Sequence, residues 1–219
     1  YYTGILSEKL LTKAVRLNKN QYACNMYHDL VTPVTNHKTT LPEINVQPVE
    51  KIPNSVLIHP GVSKMSVQKG MIKTIGAKTW AEIIDLLLEK GKHVMLAGGP
   101  DDKECIETIR ASVKNKNFDD FFGKTKSLKE LGELIAKAEQ FICSDSAPLH
   151  VAVALKTKTY VIFGPTDDKK LIPRCENVIA VKAKDTCPLK PCLWEHRHTT
   201  CESLDCLRIS ALDVVRLIS

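Results

Sequence analysis

Short apolar segments alternate with amphipathic segments over most of the chain, and this alternation predicts its secondary structure. The apolar runs are three to five residues long, which is typical of buried parallel strands. The segments between them carry apolar residues at helical spacing, as in Trp80, Ile83, Ile84, Leu87 and Leu88. The predicted strands lie at 55–59, 94–97, 141–143, 160–163 and 178–181.

Strands that alternate with helices in this way predict an α/β fold, a Rossmann-like doubly wound parallel sheet. Ser127 and Glu130 form a capping box that opens one of the helices. In such sheets ligands bind at the carboxyl ends of the strands. The loops after the predicted strands, and not the helices, are therefore expected to form the functional site.

The N-terminal part of the chain has a different character. Residues 1–36 carry two weak helical patterns, at 5–15 and 21–30. Residues 37–54 contain Pro42, Pro48 and Pro53, a proline density that favours an extended linker. The predicted division is therefore a terminal piece over 1–36, a linker over 37–54 and an α/β domain over 55–219.

The net charge of +6 allows two interpretations, a lysine-rich surface kept for solubility or attraction to an anionic ligand or membrane face. The lysines are scattered without interleaved aromatic side chains, which argues against a nucleic-acid partner. No apolar run approaches the ~20 residues of a membrane span. The start of the chain shows no secretion signal. Because it begins with Tyr1 and not with an initiator Met, we expect it to be part of a longer protein.

The segment 144–150, which reads Ser-Asp-Ser-Ala-Pro-Leu-His, follows a predicted strand and opens a helix. A helix N-terminus offers free N–H groups and a partial positive charge, which suit a phosphate. Ser146 adds a hydroxyl, and the small Ala147 lets a ligand approach the backbone. The alternative is that Asp145 and Ser146 only cap the helix.

Other loops add residues suited to a nucleotide. Thr166 can donate to a phosphate, and Lys78 is a suitable point charge for a pyrophosphate. Ser63 follows the first strand, and Asp102 can accept bonds from ribose hydroxyls. The alternatives are a plain turn at Thr166, a solvated Lys78 and a helix cap at Asp102. Three further lysines are interpreted as a solvated loop face: Lys64, Lys69 and Lys73.

No single motif is specific, but the set resembles glycosyltransferase family 9, the ADP-heptose:lipopolysaccharide heptosyltransferase family. The chain lacks the G-x-G-x-x-G and Walker sequences of dehydrogenases and P-loop NTPases. The matching segments begin at His59-Pro60-Gly61, Lys78-Thr79-Trp80, Gly98-Gly99-Pro100, Phe122-Gly123-Lys124, Ser144-Asp145-Ser146 and Phe163-Gly164-Pro165.

The resemblance implies a GT-B architecture, in which two Rossmann-like domains enclose the active site. This chain would be the C-terminal, donor-binding half, preceded by the last helices of the acceptor domain over 1–36. The resemblance implies that Lys78 contacts donor phosphate and that Asp102 lies near the ribose. It also implies a pyrophosphate cradle made by Asp145, Ser146, Ala147 and His150. Ala147 stands where glycine is common in the family.

The implied reaction is inverting transfer of a heptose, or a related sugar, from an ADP-sugar to the lipopolysaccharide core. No cofactor is required for catalysis. The family's general base lies in the N-terminal domain, and no segment here corresponds to it, so no catalytic base is assigned. The implied location is cytoplasmic, with peripheral contact on the inner face of the inner membrane.

Two other functions stay open on the sequence alone. One is a different GT-B sugar-nucleotide enzyme, such as an epimerase, which would need a catalytic acid pair within the sheet. The other is a non-catalytic nucleotide-binding or interaction module, or a truncated transferase.

Four of the eight cysteines cluster near the C-terminus with the spacing C-x4-C-x8-C-x4-C. They are Cys187, Cys192, Cys201 and Cys206. Reduced thiols, a structural zinc and disulfides are the three alternatives, and His196 or His198 can replace a zinc-binding thiolate. The dispersed cysteines are interpreted as reduced and mostly buried: Cys24, Cys105, Cys143 and Cys175.

Overall fold

The computed structural model describes residues 10–35, 41–47, 49–184, 187–193 and 201–218. In these residues a single sheet contains six strands, in the order β3-β2-β1-β4-β5-β6, and all neighbouring strands are parallel. The strands are β1 Ile52–His59, β2 His93–Leu96, β3 Asp119–Asp120, β4 Ala138–Ser144, β5 Lys158–Phe163 and β6 Val178–Lys182. The predicted Rossmann-like parallel sheet is confirmed.

Helices connect the strands and cover the sheet. They are α1 Ala23–Thr35, α2 Lys64–Gln68, α3 Ala77–Glu89, α4 Lys103–Ser112, α5 Leu128–Lys137, α6 Ala147–Ala154, α7 Asp168–Leu171 and α8 Ala211–Val215. Two short 3-10 turns lie at Pro100–Asp102 and Asp205–Leu207. No helix in the described ranges is long and apolar enough to cross a membrane.

Apolar side chains pack against both faces of the sheet. Within β1, Val56 and Ile58 point into the core formed with α3, α4 and α8. Leu57, between them, points into the core formed with α5 and α6. All three side chains are fully buried. Burial on both faces explains why the strands are nearly uniformly apolar instead of alternating between apolar and polar residues.

The first strand begins earlier than the sequence predicts. β1 starts at Ile52, inside the predicted linker, and includes Pro53. Its register with β4 is irregular between Ile52 and Val56, so Pro53 is accommodated where the regular ladder is interrupted. Asn54 has a positive φ of 56° in the same interruption. The proline signal that predicts a linker here marks an irregular strand start instead.

Part of the predicted linker packs against the α/β domain. The Ile44 amide donates to the carbonyl of Ala154, at 3.1 Å, and the Lys156 ammonium lies 2.7 Å from the Glu43 carboxylate. Segment 41–47 is therefore attached to the end of α6. The division of the chain into domains stays a prediction.

The N-terminal helices differ from their predicted positions. Residues 5–9 of the predicted helix at 5–15 lie outside the described residues, and residues 10–20 form turns and irregular structure. The second pattern corresponds to α1, which starts at Ala23 and continues through Pro33 to Thr35. β3 is not predicted because a two-residue strand is too short to produce a periodic pattern.

Candidate functional site

A crevice forms where the strand order reverses, between β1 and β4. Both loops leave at the carboxyl ends of these strands, but the chain after β1 runs toward β2 and the chain after β4 toward β5, on opposite edges of the sheet. Ligands of doubly wound folds bind at such points. A cavity of about 590 Å³ occupies this position. Residues from several loops line it, among them His59, Ser63, Lys73, Asp102, Leu128 and Ser146.

A buried hydrogen-bond cluster joins the walls of this cavity. Ser144, at the end of β4, places its Oγ 2.9 Å from the Pro60 carbonyl oxygen and 2.8 Å from the Thr74 Oγ1. The Thr74 hydroxyl donates to the Pro60 carbonyl, and the Trp80 indole N–H donates to Thr74 at 3.0 Å. Ser144 and Trp80 are fully buried. The loops after β1 and β4 and helix α3 are therefore held together by one polar cluster.

Asp145 anchors a second set of contacts. Its side chain is 3% exposed, and its Oδ2 accepts a hydrogen bond of 2.9 Å from the Thr166 hydroxyl. The Lys73 ammonium lies 3.5 Å from the same oxygen and lines the cavity. The interpretation of Lys73 as part of a solvated loop face is therefore wrong. Its segment has no periodic pattern, so the sequence carries no signal that would have placed it.

The N-terminus of α6 forms part of the cavity wall. Ser146 is its N-cap residue, but its hydroxyl makes no capping bond to the helix and lies 3.4 Å from the Ser144 carbonyl oxygen. Ser146, Ala147 and Pro148 all line the cavity. The capping role that the sequence allows for Ser146 is therefore not realised by its side chain. His150 is exposed further along α6 and is not among the lining residues.

Asp102 lies in the cavity wall, but its carboxylate already has partners. It is 7% exposed, and its Oδ2 accepts a hydrogen bond of 2.8 Å from the Gly99 amide. His59 Nε2 lies 3.8 Å from the same oxygen. Burial lowers the pKa of the His59 imidazole, and the Asp102 carboxylate opposes this shift. Burial also raises the pKa of Asp102, against the influence of His59.

Gly61 packs directly over this carboxylate. A Cβ added at Gly61 would lie 1.9 Å from Asp102 Oδ1, a distance at which one of the two must move. The loop after β1 can therefore pass over Asp102 only with glycine at this position. Asp102 makes no side-chain cap to α4, but its hydrogen bond from the Gly99 amide is the capping-box contact of the 3-10 turn Pro100–Asp102, so the capping alternative is observed at that turn.

Of the two remaining predicted residues, Ser63 lies in the cavity wall and Lys78 does not. Ser63 lines the cavity, and its Oγ accepts a hydrogen bond of 3.2 Å from the Ser66 amide at the start of α2. Lys78 is exposed in the first turn of α3 and is not among the lining residues. Two other lysines line the cavity, Lys73, five positions earlier, and Lys126.

The clustered cysteines meet at a separate cavity of about 70 Å³. Cys187, Cys192, Cys201 and Cys206 all line it, and all four are free thiols. The disulfide alternative is therefore not observed. Across the described ranges, no three His, Cys, Asp or Glu side chains are arranged to hold a metal ion. His196 and His198 lie outside the described residues, and the zinc alternative stays a prediction.

Residues 14–199 match the model of one protein family, described as glycosyltransferase family 9 (heptosyltransferase). The chain belongs to this family. Lipopolysaccharide heptosyltransferase 3 of Escherichia coli K12 is 40% identical over 102 residues, which are 46% of this chain and 29% of the relative. The chain spans less than half the length of the curated relatives reported for it.

Two solved structures share the fold. A family 9 glycosyltransferase from Veillonella parvula DSM 2008 has a TM-score of 0.69 and 17% identity, and the match covers 97% of this chain and 63% of that one. E. coli heptosyltransferase WaaC with ADP-2-deoxy-2-fluoro heptose has a TM-score of 0.63 and 17% identity, with 97% and 60% covered. These structures confirm the predicted GT-B fold class.

The contact between Gly61 and Asp102 predicts opposite effects for two matched substitutions. We expect Gly61→Ala to lower the free energy of unfolding by about 1–3 kcal/mol, because the new methyl group overlaps the buried carboxylate. Gly132→Ala, in α5, is the control, since the new Cβ would lie 3.6 Å from Val151 Cγ1, an ordinary van der Waals contact. There the better helix propensity of alanine should raise stability by up to about 1 kcal/mol. Urea unfolding measures both, and equal effects would contradict the packing argument.

The cysteine environments predict an order of reactivity. Cys201 is exposed, and a backbone hydrogen bond at Leu204 lowers the pKa of its thiol. Burial raises the pKa of Cys143 well above its usual value. Because the thiolate is the reactive form, we expect iodoacetamide to label Cys201 first and Cys143 only after unfolding, as followed by peptide mass spectrometry. Protection of Cys201 together with one equivalent of bound zinc would contradict this and support the zinc alternative.

Proposed function

We propose that this chain is the donor-binding half of an inverting heptosyltransferase, which transfers a heptose or a related sugar from an ADP-sugar to the lipopolysaccharide core. The observation that carries the proposal is the cavity between β1 and β4, with Lys73 and the N-terminus of α6 in its wall. This combination of a fixed cation and a helix N-terminus suits the pyrophosphate of a nucleotide-sugar.

Membership of family 9 supports this function. The curated relatives include lipopolysaccharide heptosyltransferase 3 of E. coli and lipooligosaccharide heptosyltransferase 2 of Campylobacter jejuni. WaaC of the same fold was solved with ADP and with an ADP-heptose analogue. We therefore propose an ADP-sugar as the donor substrate, and no cofactor for catalysis.

The cavity lining suits both the nucleobase and the diphosphate of a nucleoside diphosphate. Leu128 and Leu131 line it, and apolar side chains of this kind accommodate a nucleobase. Lys73 and the α6 N-terminus would stabilise the negative charge that develops on the departing diphosphate. Stabilisation of this charge lowers the barrier to sugar transfer because the charge is larger in the transition state than in the bound donor.

The predicted donor residues divide by their place in the structure. Ser63, Asp102, Ser146 and Ala147 line the cavity, and we propose that they contact the donor directly. Asp145 and Thr166 bind each other beside it. Lys78 and His150 do not line the cavity, although His150 interacts electrostatically with Asp145 and Lys73.

The acceptor half of the reaction is assigned outside this chain. We propose that the general base and the lipopolysaccharide-core site belong to an N-terminal acceptor domain, as the family resemblance implies. The net charge of +6 supports peripheral contact with the anionic inner face of the inner membrane. A structural zinc at the cysteine cavity is the one metal that the sequence pattern supports.

A nucleotide panel tests the donor site. We expect ADP to bind the chain more tightly than UDP or GDP and to raise its thermal unfolding midpoint, because a ligand of the native state stabilises it by mass action. Calorimetry and thermal shift measure this directly. Ala147→Leu should weaken ADP binding by filling the space beside the α6 N-terminus. If no nucleoside diphosphate binds, the donor site is refuted.

Donor binding in this chain and a general base in another domain together give a further prediction. With an ADP-heptose donor and a lipopolysaccharide-core acceptor, residues 1–219 should bind the donor but transfer sugar poorly or not at all, since we assign the general base to another domain. Release of ADP, measured by a coupled assay, reports transfer. Full transferase activity of this chain would refute the assignment of the base to another domain.

A further inference from the structure

We propose that the C-terminal cysteine segment, which comprises the described residues 187–193 and 201–207, positions Thr166 for donor binding. A leucine side chain and a backbone amide of this segment hold the loop 164–166, which follows β5. The proposal rests on the proposed function, because it concerns the affinity of the same donor site. It gives a role in that site to a segment that does not itself line the donor cavity.

The first argument is the packing of Leu207 against the loop. Leu207 ends the 3-10 turn Asp205–Leu207, is 9% exposed and lies in the core on one face of the sheet. A Cβ added at Gly164 would lie 2.5 Å from Leu207 Cδ2, a distance at which one of the two must move. The leucine therefore packs directly on the backbone of the loop, and in a close-packed interior a displacement of one moves the other.

The second argument is a pair of contacts at Pro165. Its carbonyl oxygen accepts a hydrogen bond of 3.3 Å from the Leu193 amide. The Cys192 Sγ lies 3.9 Å from the same oxygen, within reach of a weak S–H donor. Pro165 also lines the cysteine cavity. Both described parts of the cysteine segment thus contact the loop, one at Gly164 and the other at Pro165.

The third argument is the backbone of the turn that carries Leu207. Leu204, which precedes this turn, has φ 47° and ψ 32°, in the left-handed region that residues with a side chain rarely adopt. Such a conformation persists only where the surrounding packing holds it. The Leu204 carbonyl accepts a hydrogen bond of 2.8 Å from the Leu207 amide, which closes the turn. The cysteine segment therefore presents Leu207 to the loop in one fixed position.

Thr166 connects the loop to the donor cavity. It is 6% exposed, and its hydroxyl donates to Asp145 Oδ2 at 2.9 Å. Asp145 is followed by Ser146, which opens α6 and lines the donor cavity. Because Thr166 and Asp145 are both buried and have little room to adjust, a shift of the loop changes this hydrogen bond or moves the N-terminus of α6.

Calorimetric titration with ADP tests the proposal on the whole chain. We expect Leu207→Ala to weaken ADP binding about 3- to 10-fold, the size of effect typical of a residue that acts through others. Leu207→Met, which nearly conserves the side-chain volume, should restore most of the affinity.

Leu87→Ala is the matched control. Leu87 is a fully buried leucine of the same core, at the end of α3 that leads into β2. This end of the helix lies at the amino ends of the strands, away from the donor cavity. Leu87→Ala should lower the urea midpoint of unfolding, as Leu207→Ala does, but bind ADP like the wild type.

A double-mutant cycle separates positioning from a loss of stability. In a Thr166→Val background the hydroxyl that binds Asp145 is absent, so Leu207→Ala should change ADP affinity by less than about twofold. Its effect on the urea midpoint should remain, because packing against Gly164 does not involve the hydroxyl. An equal loss of ADP affinity in both backgrounds would show a purely structural role of Leu207 and overturn the proposal.

Milder variants serve if Leu207→Ala does not fold. Leu207→Val removes less of the side chain, and Gly164→Ala disturbs the same contact from the loop. We expect both to weaken ADP binding, and both effects to disappear in the Thr166→Val background.

The outcomes separate this inference from the proposed function. If the wild type binds ADP and the Leu207 variants bind it equally well, the positioning role is refuted while the donor site stands. If Leu87→Ala weakens ADP binding as much as Leu207→Ala does, the effect is one of general stability and the positioning role is refuted as well. If the wild type binds no nucleoside diphosphate, the donor site itself is refuted and this inference with it.

Discussion

The buried hydrogen-bond cluster of Ser144, Thr74, Pro60 and Trp80 is the contact on which the rest of the site depends. In a doubly wound sheet the connections after the two central strands diverge, which opens a crevice but leaves its walls without a common support. Here one serine hydroxyl at the end of β4 lies within hydrogen-bond distance of both the loop after β1 and the segment before α3. Unpairing any of these buried groups would cost about 1–3 kcal/mol, so the walls are held in one arrangement.

The charged groups of the site are arranged around this cluster. Thr74 and Ser144 are hydrogen-bonded to each other, and each is adjacent in sequence to one partner of the ion pair. Lys73 precedes Thr74 and Asp145 follows Ser144, so this hydrogen bond holds the two charged residues close together. Thr166, which follows β5, completes the set by binding Asp145. Three loops thus contribute one residue each to a single electrostatic unit. A fixed cation of this kind can stabilise a leaving diphosphate without reorganising during the reaction.

The strands were predictable because each is buried on both faces, so its residues form an almost continuous apolar run. β1 illustrates this, with Val56 and Leu57 fully buried in opposite cores. Prediction failed where this physical cause was absent. The two-residue β3 consists of Asp119 and Asp120, which no apolar pattern marks. The linker prediction at Pro53 failed for a related reason, since an irregular strand start tolerates proline.

By itself, the sequence determined the order of strands and helices, the family motifs and the loops in which the site would lie. These features follow from local periodicity and from residues adjacent in the chain. Only the tertiary structure decided which side chains meet in the cavity. It placed Lys73, from a loop with no periodic pattern, beside Asp145 in the cavity wall. It left Lys78 exposed to solvent and paired the Asp102 carboxylate with the Gly99 amide. Such choices depend on packing between segments far apart in sequence, and the direction of a side chain in space is not encoded in its neighbours.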